Sequence, residues 1–335
     1  MKKLLIATTA LVGTASVAAA DITFSGYGRF GVLYEEDRTR STTGADIEET
    51  RLESRYRLNI DSSTTTDGGI RFAARIRVEA NDNDSGGANA GAFSGARFQA
   101  NVGGLRVRVG NVSGVHDSAI VVDFFGYEPG LIGQVGHYST FGGGPIDAFS
   151  STGPGANGVN ALYEMGDFAI MASWSENLSD NDGSLIFNDY EAFEIGASYT
   201  FSGWTFGVGY GKAEYGDTNV TNGRDDVDSD FWTITASGSV GIADLALFIG
   251  DSDDEVVQAD RGIDDDLAYG ISAAFPVGAA TTIEASYAGG GADDLDDAYG
   301  IGFDHSLGGG VKLTGMIGRN TSENTVADLG VIFNF

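Results

Sequence analysis

Apolar and polar side chains alternate with a period of two along most of the chain, the pattern of strands with one apolar face. Near the start, Ile22, Phe24, Phe30, Val32 and Tyr34 share one parity, and Thr23, Ser25, Tyr27 and Arg29 share the other. Further on, Ile70, Phe72, Ala74, Ile76, Val78 and Ala80 alternate with Arg71, Ala73, Arg75, Arg77 and Glu79. Trp204, Phe206, Val208 and Tyr210 alternate with Thr205, Gly207, Gly209 and Gly211. The chain closes on Ala327, Leu329, Val331, Phe333 and Phe335 opposite Asp328, Gly330 and Asn334.

Punctuation between the strands follows a rule of its own. Tight turns fall at 67–69, 103–104, 166–167, 202–203, 241–242, 276–278 and 308–310. Longer, mostly acidic loops fall near 36–49, 81–91, 111–157, 177–189, 215–229, 250–266, 289–297 and 319–324. Seven turns alternating with eight loops predict 16 antiparallel strands, short connections at one end and long ones at the other. An even strand number with that asymmetry is the transmembrane β-barrel pattern. Aromatic residues at strand ends (Tyr34, Trp174, Tyr199, Phe201, Trp204, Tyr210, Phe333, Phe335) suit an interfacial girdle and separate this reading from a soluble sandwich.

Targeting agrees. Lys2 and Lys3 precede an apolar stretch and small residues through Ala20, predicting a secretory signal over 1–20 and a single barrel over 21–335. The apolar stretch is too short to span a bilayer, and no later one approaches a membrane helix. A spanning chain must then close its sheet to satisfy every backbone group. The absence of cysteine leaves no disulfides to support an exported fold. These features together predict a bacterial outer-membrane location.

The net charge is −29, or −31 once Lys2 and Lys3 are removed, which argues against nucleic acid as a partner. Acidic runs at 251–255, 264–266 and 293–297 read as solvated loop surface. They are also candidates for bridging by calcium to one another or to lipopolysaccharide head groups.

Basic residues are not spread evenly. Of the 17 left after Lys2 and Lys3, 12 lie between Arg29 and Arg108. Ten of those share the polar parity: Arg29, Arg51, Arg55, Arg57, Arg71, Arg75, Arg77, Arg97, Arg106 and Arg108. Arginine stays charged and is weakly hydrated, so such a field suits one sector of an aqueous lumen; solvation of a polar wall, with Glu53 and Glu79 as partners, is the plainer reading. The 111–157 loop, the longest, carries Asp117, Asp123, Glu128 and Asp147. Folded inward, it would set carboxylates against the arginines, the way fixed charges select solutes. The inward glycines Gly207, Gly209 and Gly211 leave the lumen open under this reading, and outward Gly26 and Gly28 leave room for a neighbouring subunit.

Three motif matches fail on context. Gly26-Tyr27-Gly28-Arg29-Phe30-Gly31 fits a dinucleotide string but lies within a strand and opens no helix. His116-Asp117 beside Ser113 and Ser118 has no nucleophile elbow. The run beginning Asn81-Asp82-Asn83-Asp84 has Ala92 where a calcium loop needs its bidentate glutamate.

Ile22-Thr23-Phe24-Ser25-Gly26 with Arg29, Arg55-Tyr56-Arg57 running into Thr65-Thr66-Asp67-Gly68-Gly69, and Val326 to Val331 with Phe333 and Phe335 carry a resemblance. The chain resembles the general porins of purple non-sulfur and related alphaproteobacteria (the Rhodobacter type). The resemblance implies a homotrimer of 16-stranded barrels, each with an inward-folded third loop, and no cofactor. It implies a passive outer-membrane channel for small hydrophilic solutes and ions, not an enzyme. In that family basic wall residues face acids of the third loop; Arg29, Arg55, Arg57 and Arg77 stand at matching wall positions. Parity adds Arg75, and the loop offers Asp117, Asp123 and Glu128. An anion- or substrate-selective pore is the near alternative, and a plugged structural or adhesive barrel the distant one.

Overall fold

The alternating segments pair with their sequence neighbours, in order, until the last meets the first. The computed structural model of the protein describes residues 21–39, 44, 46–82, 90–142, 149–153, 155, 157–178, 189–215, 227–254, 266–292 and 295–335. The expected signal at 1–20, most of the 81–91 loop, Asp147, and the acidic residues Asp264, Asp265, Asp293 and Asp294 lie outside these. Strands β1 (Asp21–Glu35), β2 (Thr50–Thr65) and β3 (Arg71–Asn81) are followed by the short β4 (Ala92–Phe93) and β5 (Arg97–Val102). Both β4 and β5 pair with β3, so they are two pieces of one interrupted barrel strand. Then come β6 (Leu105–Gly110), β7 (Asn157–Met165), β8 (Phe168–Leu178), β9 (Asp189–Phe201), β10 (Trp204–Tyr215) and β11 (Val227–Val240). The series ends with β12 (Ala243–Asp254), β13 (Ala268–Pro276), β14 (Thr281–Gly289), β15 (Ala298–Gly308), β16 (Val311–Arg319) and β17 (Thr325–Asn334).

Every pairing is antiparallel, and β17 returns to β1 with Val32 opposite Leu329 and Gly28 opposite Phe333. The seam ends on a reciprocal pair of bonds: Gly26 N–H donates to the Phe335 carbonyl (2.9 Å) and Phe335 N–H to that of Gly26 (3.1 Å). The protein is thus a closed, 16-stranded, antiparallel β-barrel with no free first or last strand.

One parity of this cylinder exposes large apolar side chains all the way round. Phe24 and Phe201 are each 65 % accessible and Leu52 75 %, with Phe72, Phe98, Ile170, Val208, Ile234, Ile271, Ile301 and Leu329 in the same band. So much contiguous apolar surface is stable only against lipid or another protein. The outward glycines of β1 are not free to meet a neighbour, contrary to expectation. The Phe333 ring covers Gly28 and the Phe335 ring reaches Gly26, with Phe335 stacked on Tyr56 at 5.5 Å. A side chain at Gly28 would collide with that ring, so the glycine serves the barrel's own seam.

The end of β12 runs further than loop composition suggested. Asp251 to Asp254 continue β12, standing opposite Trp232, Phe231, Asp230 and Ser229 in the ladder with β11. The ladder outweighs the poor strand propensity of aspartate. Within the long third loop a single helical turn, α1 (Val115–Ser118), also forms.

Candidate pore-lining site

The opposite parity carries the charge. In β1–β3 the arginines interleave with carboxylates and amides supplied by neighbouring strands in register. Arg29 pairs with Glu53, Arg57 with Glu79, and Arg51 with Asp82 at 2.9 Å. Arg55 Nε donates to Asn81 Oδ1 at 2.7 Å and lies 3.7 Å from Glu79. Arg75 grips both oxygens of Asp61, at 2.7 and 3.0 Å. Arg77 Nε donates to Asn59 Oδ1 at 3.0 Å, and its guanidinium lies 4.7 Å from the Phe149 ring centre.

Residues 111–142 run along the rest of the wall, bonded to one strand after another. Asn160 of β7 donates to Ser113 O (2.8 Å). Glu194 of β9 accepts from the His116 backbone N–H (2.8 Å) and meets its Nδ1 at 2.6 Å. His116 Nε2 lies 2.7 Å from Thr233 Oγ1 of β11. Tyr127 N–H donates to Ser272 Oγ of β13 (2.9 Å), and Ser286 Oγ of β14 donates to Val135 O (2.8 Å). Leu131 N–H ends the series on Asp328 Oδ1 of β17 (2.9 Å). The wall residues in this series all have the polar parity.

Apolar packing fills the seam between segment and wall. Val115, Val121, Val122, Phe124 and Phe141 form one buried cluster with Leu162, Met171, Phe231 and Phe248 of the strands. Phe124 meets Phe248 edge-on at 5.5 Å, and His116 meets Phe231 at 4.7 Å. The glycines expected to leave space do the opposite. A Cβ at Gly207 would collide with the Val121 carbonyl, and one at Gly209 with the His116 ring. Glycine there admits the segment's backbone against the strand.

The three loop acids occupy different settings. Asp117 lies on α1 and is half-buried. Asp123 Oδ1 accepts from Gly126 N–H at 3.2 Å. Glu128 accepts the Tyr138 hydroxyl at 2.7 Å; burial pushes its carboxyl above the usual carboxylate range, and the Tyr138 bond offsets part of this. The same burial, reinforced by Glu128, pushes the Tyr138 phenol up. Tyr127 is raised as well, first by burial and then by Asp244, Asp123 and Glu284.

Among the described residues no ion pair joins these acids to a wall arginine; the pairing partners are Glu53, Glu79, Asp61 and Asp82. Where the loop returns, it touches the arginine wall through neutral groups: Arg57 Nη2 donates to Ser151 Oγ at 2.7 Å. Sequence reasoning also passed over Asp244, Glu284 and Asp304 at the polar parity of β12, β14 and β15. Their signal was parity on the far side from the arginines, masked by the many acidic loops. Among the described residues no group of three or more His, Asp or Glu side chains is arranged to hold a metal ion.

A closed barrel that is apolar outside and charged inside defines a membrane pore. The comparisons agree. A family profile described as "Gram-negative porin" matches residues 7–325. The porin of Fuscovulum blasticum is 30% identical over 323 residues, covering 94% of this chain and 100% of the relative. That of Rhodobacter capsulatus is 28% identical over 336 residues with the same coverage. The structure of a mutant Rh. blastica porin aligns with a TM-score of 0.68 at 28% identity, over 94% of this chain and 100% of that one. The chain belongs to the Gram-negative porin family. It is an outer-membrane general diffusion porin, a passive channel and not an enzyme.

Proposed function

We propose that solutes are sorted at a constriction between the arginine wall of β1–β3 and the 111–157 loop folded into the lumen. The basic side is Arg29, Arg55, Arg57, Arg75 and Arg77; the acidic side is Asp117, Asp123 and Glu128. The observation carrying this reading is the chain of hydrogen bonds that ties residues 113–135 to the polar parity of β7 through β17. Among the described residues none of those bonds reaches the arginine strands β1–β6, so the open path in this reading runs beside them. Transverse opposition of fixed charge would orient dipolar solutes and tune ion preference without blocking flow. Reversal potentials in a dilute salt gradient test it, because high salt screens both sides. Ion preference untouched by neutralising either side would place the filter elsewhere.

In this proposal residues 1–20 are removed as a secretory signal and residues 21–335 form the barrel. Three copies associate through the outer face of β2–β6. There the small residues Ser62, Ala74 and Ala100 form a depression of about 360 Å³ beside Phe72, Phe98 and Val109. Light scattering of the purified protein in mild detergent should give a trimer; a strictly monomeric particle overturns that part. Lipopolysaccharide would surround the assembly on its outer rim.

A further inference from the structure

We infer that Arg75, Arg97, Arg106 and Arg108 form a binding site in the channel wall for a multiply charged oxyanion of the phosphate class. The inference rests on the porin reading and deepens it by naming a solute class. Two pairs of arginines stand directly opposite each other in the barrel register: Arg29 with Arg55, and Arg75 with Arg97. Like charges so placed repel. The first pair is neutralised locally, Arg29 by Glu53, and Arg55 by Asn81, Tyr27 and Glu79. The second is not. The carboxylate acting on Arg97 is Asp61, and both Asp61 oxygens already accept from Arg75.

The unbalanced charge extends into β6. There Arg108 faces Gln99 and Arg106 faces Asn101, neutral partners both. Arg108 Nε donates to Gln99 Oε1 at 2.7 Å. The Nε atoms of Arg97 and Arg106 are sealed from solvent and have no acceptor among the described residues. Buried charged donors are normally satisfied, and here two lack an acceptor within one run of guanidinium groups, with Arg108 between them in the register. A cavity of about 460 Å³ opens on the Arg75 and Arg97 side of this wall, lined also by Arg71, Gln99, Asp61 and Asp21.

The geometry selects the ligand class. Water could satisfy a donor but would leave the four arginines in excess over the carboxylates described at this wall, the committed Asp61 and Asp21 at the start of β1. Chloride brings one charge and no directed acceptors. A phosphate group brings two charges and several oxygens that match the guanidinium fork. Arg75 and Arg97 also lie closer to the short-turn end than Arg57, since Arg75 pairs with Asp61 and Arg57 with Glu79 on the same two strands. An anion that passes Arg57 would therefore meet this site, which shares Arg75 with the constriction, before leaving toward the periplasm.

The test is single-channel recording in potassium chloride with inorganic phosphate titrated in at constant ionic strength. Wild-type current should fall along a saturating curve as phosphate occupies the site. In Arg97→Gln or Arg106→Gln the half-effect concentration should rise about tenfold, the factor a charge-assisted hydrogen bond carries. Arg319→Gln, which removes an equal charge at the loop end of β16, should leave it unchanged. A wild-type current that varies linearly with phosphate overturns the site without needing any variant to fold. So does an unchanged half-effect concentration in both lumen variants. Failure to form any channel in chloride alone would instead sink the porin reading beneath it.

Discussion

The His116 imidazole and the Glu194 carboxylate meet at 2.6 Å across 78 residues of sequence, and both are fully sealed from solvent. Glu194 also accepts the His116 backbone N–H, so one oxygen takes two donors from the loop. The other ring nitrogen, Nε2, lies 2.7 Å from the Thr233 hydroxyl, so both ring nitrogens have a polar partner. This is the firmest polar anchor between the third loop and the wall. His116→Ala would leave the carboxylate buried with a single donor, at a cost of about 3 kcal/mol or more. Thermal unfolding in detergent should move down, and open-channel noise should rise as the loop loosens. Glu194→Gln retains an acceptor oxygen and should lose clearly less stability; equal losses would mean the pair is not the anchor.

Gly209 gives a steric test of the same seam. A valine there must displace the His116 ring, and the segment can move only away from β10. Conductance of Gly209→Val should fall as the segment is pushed across the path. Unchanged conductance in a correctly folded variant would show that the segment does not border the path.

Neutralising opposite sides of the constriction should act with opposite sign. In a tenfold salt gradient, Arg55→Gln with Arg77→Gln should move the reversal potential toward cations, and Asp123→Asn with Glu128→Gln toward anions. Shifts of roughly 10 mV are expected, within the roughly 59 mV that ideal selectivity produces. Raising the salt should erase both.

Glu128 adds a pH dependence. Burial holds its folded-state carboxyl above the ordinary value, so the folded protein favours the protonated form. The stability this lends is present below the ordinary glutamate range and is lost as pH rises through the raised value. Relative to Glu128→Gln, the wild type should therefore lose stability and gain cation preference over the same pH interval, above the ordinary range. Reversal potentials and melting temperatures measured in parallel check the coincidence. A selectivity change centred at the ordinary glutamate value would contradict it.

Deleting Phe335 removes two seam hydrogen bonds and the stack on Tyr56. The ring lies on the outer face, on the opposite side of the sheet from the arginines of β2. Folded yield should drop while conductance of the molecules that do assemble stays at the wild-type value; normal yield would count against the seam's importance.

The alternation of Phe72, Ala74 and Ile76 with Arg71, Arg75 and Arg77 determined strand, face and barrel together. A period of two has one structural meaning, and a closed sheet is the one way such strands cross lipid. Sector bias, too, was legible, because consecutive strands are neighbours in an antiparallel barrel. Only the tertiary structure decided which arginines are already neutralised. Arg29 and Arg97 look alike in sequence, but Arg29 bonds directly to Glu53, whereas the carboxylate near Arg97 has both oxygens held by Arg75. The same holds for Gly207 and Gly209, whose missing side chains read as open lumen and proved to be the seat of a distant segment. Apolar Leu162, Met171, Phe231 and Phe248 at the polar parity marked that seat. What they packed against lay up to 124 residues away, between Phe124 and Phe248, and local periodicity carries no information about contacts made at that range.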